Sequence, residues 1–109
     1  MYVFVRQDLS FPQQVVQSSH ASIEASKFLS QEQHPHIVLI GVSDEEALIQ
    51  VICRLESANI KFAAFQEPDR NNEYTAIATA PISGDGRKFF KKYQCLKSKA
   101  CEQVAGGIF

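Results

Sequence analysis

Tyr2-Val3-Phe4-Val5, near the start of the 109-residue chain, is built from β-branched and aromatic residues with no polar alternation. A half-exposed strand would show a period of two, so this run predicts a strand buried on both faces, at the centre of a sheet. Ser10-Phe11-Pro12-Gln13 then predicts a helix start, since Ser10 can cap, Gln13 can reach back as in a capping box and Pro12 suits a first turn. That helix is expected to run to about Leu29. Its small residues Ser18, Ser19, Ala21, Ser22, Ala25 and Ser26 let it lie close against a sheet or a second helix. His36-Ile37-Val38-Leu39-Ile40, between Pro35 and Gly41, predicts a second buried strand. Ser43-Asp44-Glu45-Glu46 reads as a capping box with carboxylates in the first turn, and Leu48, Val51, Ile52 and Leu55 follow at helical spacing to an end near Asn59.

Ile60 to Phe65 and Tyr74 to Ala80 are two further strands, joined by the polar link Gln66 to Glu73. After a turn at Ser83-Gly84-Asp85-Gly86, Lys88 to Tyr93 predicts a last short helix anchored by Phe89 and Phe90. The order is strand, helix, strand, helix, strand, strand, helix. Two crossovers through helices require a largely parallel sheet with right-handed connections, while the short link before the last strand allows an antiparallel partner. An α/β sandwich on a four-stranded mixed sheet follows.

A composition of 45% hydrophobic and 21% charged residues in 109 residues is that of one globular domain, which excludes a disordered chain and a two-domain enzyme. The domain is assigned to 1–97, and the tail 98–109, with two adjacent glycines and no clear period, is expected to be partly mobile. No apolar run approaches the roughly 20 residues of a membrane span, and Arg6 interrupts the start too early for a signal peptide. Cys53, Cys95 and Cys101 are odd in number and match neither a zinc ribbon nor a Cys-x-x-Cys pair. Free thiols in a cytoplasmic protein are the expectation. His34 and His36 flank Pro35 without a companion ligand motif, so no metal site is expected.

The formal net charge of −1 hides a segregation. Residues 1–86 hold five Lys/Arg against eleven Asp/Glu, whereas 87–109 hold six Lys/Arg against Glu102 alone. Arg87, Lys88, Lys91, Lys92, Lys97 and Lys99 form this basic segment, and Lys88, Lys91 and Lys92 are expected on one face of the last helix, as a phosphate-binding surface or as plain solubilising charge. In the first helix Gln13, Gln17, His20 and Glu24 step by four, three and four, a polar ridge beside Val16 and Ile23 that faces either water or a groove. The helix N-terminus, near Arg6, Asp8 and Ser10, offers backbone N–H groups to a phosphate. Asp44, Glu45 and Glu46 are read as helix-start residues. The loop Gln66-Glu67-Pro68-Asp69-Arg70 collects charges at a strand end, where open α/β sheets put their sites, though solvated turn charges explain it equally well.

Val5-Arg6-Gln7-Asp8-Leu9, Gln17-Ser18-Ser19-His20-Ala21, Ser43-Asp44-Glu45-Glu46, Gln66-Glu67-Pro68 and Thr75-Ala76-Ile77-Ala78 to Pro81, in this order, resemble the signatures of the type 2 peptidyl-tRNA hydrolases. His34-Pro35-His36 and Phe90-Lys91-Lys92-Tyr93-Gln94-Cys95-Leu96-Lys97 are similar to the short branch called peptidyl-tRNA hydrolase domain-containing proteins, and the likeness covers 2–97. The resemblance implies a three-layer α/β/α fold. It also implies a cofactor-free esterase acting on the bond between a peptide and the 3′ ribose of tRNA.

Carried over residue by residue, a family lysine in the site falls on Gln13, a loop aspartate on Glu67 and the threonine opening the last strand on Thr75, while a loop threonine has no counterpart. The resemblance, taken with the polar ridge, the helix N-terminus and the basic segment, nominates His20, Glu67, Gln13 and Thr75 for catalysis and Arg6, Asp8, Gln17, Lys88, Lys91 and Lys92 for binding peptidyl-tRNA. Glutamine in place of lysine exchanges a cation for a neutral amide beside the phosphate or the oxyanion. Two readings stay open: a hydrolase, or a non-catalytic module on the same fold that binds tRNA or a protein through an apolar patch near Phe11 or Ile108 and Phe109. Whether the chain forms a homodimer is left open by the sequence.

Overall fold

Val3, Phe4 and Val5 are closed to solvent, and the strand they form, β1 (Tyr2–Arg6), lies inside the sheet as its composition predicts. The computed structural model describes residues 1–93 and 95–96; the expected tail over 98–109, with Ile108 and Phe109, and also Lys97, Lys99 and Cys101 lie outside the described residues. After β1 come α1 (Phe11–Ala25), β2 (Val38–Val42), α2 (Glu45–Ser57), β3 (Phe62–Glu67) and β4 (Glu73–Thr79). A 3-10 helix over Gly84–Phe90 follows.

The sheet order is β2-β1-β4-β3. β1 pairs in parallel with β2, Tyr2 opposite Val38 and Arg6 opposite Val42, and antiparallel with β4, Val3 opposite Ala78. β3 pairs antiparallel with β4, so β1, β2 and β3 point the same way and the reversed strand sits between two of them. The α2 crossover therefore carries the chain from one edge of the sheet to the other. The expected parallel direction holds for three strands, but only β1 and β2 form a parallel ladder.

Each face of the sheet has its own core. Val3, Val5, Ala63, Ala76 and Ala78 meet Ala21 and Ala25 of α1, so small side chains on both partners let helix and sheet approach closely. On the other face Tyr2, Phe4, Ile40 and Ile77 meet Leu48, Val51 and Leu55 of α2, with Phe90 completing the layer. The result is a three-layer α/β/α sandwich. α1 is inverted relative to an ordinary amphipathic helix: Gln14, Gln17 and Ser18 are buried while Phe11, Val15, Val16 and Ile23 stand outside.

Several boundaries differ from expectation for local reasons. The second strand runs through Gly41 instead of ending there, because the missing Cβ leaves room for the Gln7 side chain. It is also an edge strand and mostly half-buried, with His36 and Ile37 exposed. Its outer side is partly covered where Cys95 bridges Ile40 and Leu96 N–H donates to Leu39 O at 2.8 Å. Asp44, not Ser43, caps α2, accepting from Ala47 N at 2.9 Å. Ser10 caps α1 through Gln13 N, but the reciprocal half of the expected capping box is replaced by a contact between the Gln13 and Gln17 side chains. α1 ends at Ala25 and a 3-10 turn over Ser26–Phe28 continues the helical path.

The last helix is displaced from Lys88–Tyr93 to Gly84–Phe90, where Gly84 takes a φ of +60° and Phe90 stacks on Tyr2 at 3.8 Å. No described helix is long and apolar enough to cross a membrane. In chemical denaturation, Leu48→Ala is expected to cost about 2–5 kcal/mol, since the side chain is fully enclosed. Ile49→Ala, one position along the same helix and partly exposed, should change stability by less than about 0.5 kcal/mol.

Candidate functional site

The β3–β4 ladder slips near its open end: Phe65 faces Ala76 but Gln66 faces Tyr74, leaving Thr75 as the extra residue of a β-bulge. In a regular strand Thr75 would share the face of Ile77, which packs on the α2 side. The bulge turns it instead to the side of Ala76, toward α1. There Thr75 Oγ1 donates to Gln17 Oε1 at 2.7 Å.

That hydrogen bond decides which way the Gln17 amide points. With Oε1 occupied by the hydroxyl, Nε2 is turned outward and donates to Glu67 Oε2 at 2.9 Å and to Gln13 Oε1 at 3.3 Å. Gln17 is only 2% exposed and Thr75 fully buried, so both depend on these partners. The Gln17 amide, helped by the Asp69 backbone N–H at 3.3 Å on the other oxygen, holds the Glu67 carboxyl below the usual carboxylate range; His20 and Arg70 add to this. Glu67 is therefore ionised at neutral pH and retains lone pairs for a further donor. His20 is exposed and lies flat on Phe65, ring centroids 4.6 Å apart and 7° from parallel, two residues before Glu67 on the same strand.

Thus Gln13, Gln17, His20, Glu67 and Thr75, nominated from distant parts of the sequence, gather where β3 leaves the sheet. The polar ridge on α1 divides: Gln17 turns into the protein, while Gln13, His20 and Glu24 remain at the surface. The loop beyond Glu67 is a 3-10 turn over Pro68–Arg70 closed by Asn71 and Asn72, both with positive φ, and by Asn72 N–H donating to Glu67 O at 3.0 Å. Asparagine is the non-glycine residue that tolerates this conformation best.

Arg6 and Asp8 belong to a neighbouring network. The Arg6 guanidinium donates to both oxygens of Asp8 (2.9 and 2.7 Å), to Glu73 Oε1 (2.7 Å) and to Tyr74 O (3.1 Å). Four of its five N–H donors are thereby used and its side chain is 6% exposed, which commits it to the protein rather than to a phosphate. Asp8 and Glu73 are both held below their ordinary values, chiefly by the hydrogen bond from Arg6. Glu73 closes the polar link Gln66 to Glu73, and nothing local in the sequence marks its pairing with Arg6. Glu45, read as a helix-start residue, also accepts from Tyr74 N at 2.9 Å.

The helix N-terminus offers less than the sequence suggested. Pro12 has no N–H, Gln13 N is taken by Ser10 Oγ and Gln14 N by Ser10 O, which leaves Phe11 N as the remaining amide of that turn. The three lysines also part company. Lys88 and Lys91 line one cavity, whereas Lys92 lies beyond the helix over the Tyr93 ring and lines another with Arg54. All three lie on the α2 side of the sheet, away from the Gln17–Glu67 cluster. Among the described residues no group of metal-ligating side chains assembles, His34 and His36 included.

A family model described as Peptidyl-tRNA hydrolase PTH2 matches residues 1–94. No curated protein matches the chain in the comparison made. Two outcomes are expected from the geometry. Thr75→Val leaves Gln17 Oε1 buried without a donor and should lower stability by about 1–3 kcal/mol in denaturant titrations. Because the Asp8 and Glu73 carboxyls are depressed from 3.8 and 4.5, the stability they contribute is complete above about pH 4.5 and lost as pH falls through their lower folded values. An Arg6→Met variant should therefore be less stable at pH 7 and show a flatter decline between pH 5 and 3 than the wild type.

Proposed function

The chain belongs to the peptidyl-tRNA hydrolase PTH2 family, and from that membership we propose that it hydrolyses the ester between a peptide and the 3′ ribose of tRNA. The observation that supports a working site is the hydrogen-bonded chain from Thr75 through Gln17 to Glu67. It presents an ionised carboxylate in one orientation beside an imidazole. A carboxylate with a lowered pKa is a weak base, so Glu67 acts by holding and polarising the attacking water. His20 accepts the proton that the water loses as its oxygen joins the ester carbonyl. The same imidazole returns that proton to the 3′ oxygen as the ester bond breaks.

Gln13 has its Oε1 tied to Gln17, which leaves its NH2 group to donate to the oxyanion. A neutral amide there is a poorer stabiliser than a lysine ammonium, and the rate is correspondingly modest.

A second reading has its own observation. The outer face of α1 exposes Phe11, Val15, Val16 and Ile23, the kind of apolar surface that a protein-binding module presents. Single-turnover hydrolysis of peptidyl-tRNA separates the two. The hydrolase reading expects Glu67→Gln to lose about 10²-fold or more, His20→Ala to lose at least about tenfold, and Gln13→Lys to gain at least about tenfold. Equal measurable rates for wild type, Glu67→Gln and His20→Ala would discard these residue roles, and wild-type hydrolysis no faster than background would leave the binding module.

A further inference from the structure

The end of the sheet opposite Glu67 carries a second constellation that the hydrolytic site does not use. Where β1 begins, Tyr2 stacks on Phe90, and a cavity of about 370 Å³ opens over this pair, lined also by Arg87, Lys88 and Lys91. A second cavity of about 240 Å³ shares Tyr2 and Arg87 with the first and is bordered by His34 and His36. These two adjoining cavities, together called the trough, have the stacked Tyr2–Phe90 pair, three cations and two imidazoles in their linings. Among the described residues, no carboxylate lines either cavity. The nearby Asp85 reaches Lys88 at 3.6 Å, but both side chains are exposed, so the pair neutralises little. Burial, and after it Arg87, holds the neighbouring Met1 amino group below its ordinary value.

We propose that this trough binds phosphodiester groups of RNA, with Arg87, Lys88 and Lys91 as the principal contacts and His34 and His36 as hydrogen-bond donors. The proposal rests on the tRNA reading above and adds a second, distant contact to it. Tyr2 and Phe90 are stacked on each other and buried, so they form a floor and do not offer a face for base stacking. Recognition is consequently of backbone charge and not of sequence. The five residues of β1 separate the trough from the level of Arg6 by about 13 Å along the strand. The protein measures at most 37 Å across, a length over which a duplex presents roughly 20 phosphates, so a tRNA is long enough to reach both ends. The acidic body between them keeps the polyanion from settling elsewhere.

Equilibrium binding of deacylated tRNA, measured by fluorescence anisotropy from about 50 to 200 mM salt, tests this. The double variant Arg87→Glu/Lys88→Glu is compared with Lys27→Glu/Lys61→Glu, which changes the net charge equally away from the trough. The trough variant should bind at least tenfold more weakly, with its log–log salt slope reduced by about 1.4–1.8, while the control stays within about twofold of wild type. Equal losses in the two variants, or none in either, would overturn the trough. So would displacement of tRNA by millimolar inorganic phosphate, which would mark a site for a free anion. Wild-type protein that binds no tRNA at all would overturn the tRNA reading itself, whereas wild-type binding with an unaffected trough variant removes only the second contact.

Discussion

The hydroxyl of Thr75 meets the amide of Gln17 inside the layer between the sheet and α1, where neither residue has access to water. A buried amide is costly unless its ends are satisfied, and this contact ties three things together. It requires the bulge in β4, which alone turns Thr75 to the α1 side. It sets the rotation of α1, since Gln17 must face inward and Gln14, Ser18, Ala21 and Ala25 then follow it into the layer. It also aims the Gln17 amide at Glu67, and so determines the state in which that carboxylate is presented. The large apolar residues of α1 are left outside as a consequence of the same rotation.

The ends of the central strands show a comparable economy. Beyond the point where β1 can pair with β4, the backbone groups of Tyr74 find side chains: its N–H goes to Glu45 and its carbonyl to Arg6. At the opposite end Tyr2 N–H donates to Thr79 Oγ1 at 3.0 Å. Buried backbone groups need such partners once the ladder stops. The Arg6 network is therefore a closure of the sheet beside the Glu67 cluster, and it stiffens the strand end from which that cluster is built.

Charge and chemistry are placed at different ends of the molecule. The Glu67 cluster has Arg70 as a neighbour, itself paired to Glu73 at 3.5 Å, whereas the basic segment packs through Phe90 on the far face. On the proposed function, a substrate large enough to touch both ends suits this layout.

The sequence by itself determined the elements and their layering. Unbroken apolar character in Tyr2 to Val5 required burial on both faces, and the alternation of strands with helix starts at Ser10 and Asp44 required crossovers, because these properties depend on local pattern and on water alone. The resemblance of short motifs pointed to Gln13, Gln17, His20, Glu67 and Thr75. What brought them into one cluster was decided by tertiary structure. The sheet order placed β4 between β1 and β3, and the register slip at Phe65 and Gln66 turned Thr75 over. No period in Tyr74-Thr75-Ala76-Ile77 announces that slip, since its cause is a buried partner far away on α1. The placement of the basic segment was hidden for the same reason: Lys88, Lys91 and Lys92 are neighbours in sequence, but Phe90 must reach Tyr2, and the 3-10 turn this requires sends the lysines to different cavities.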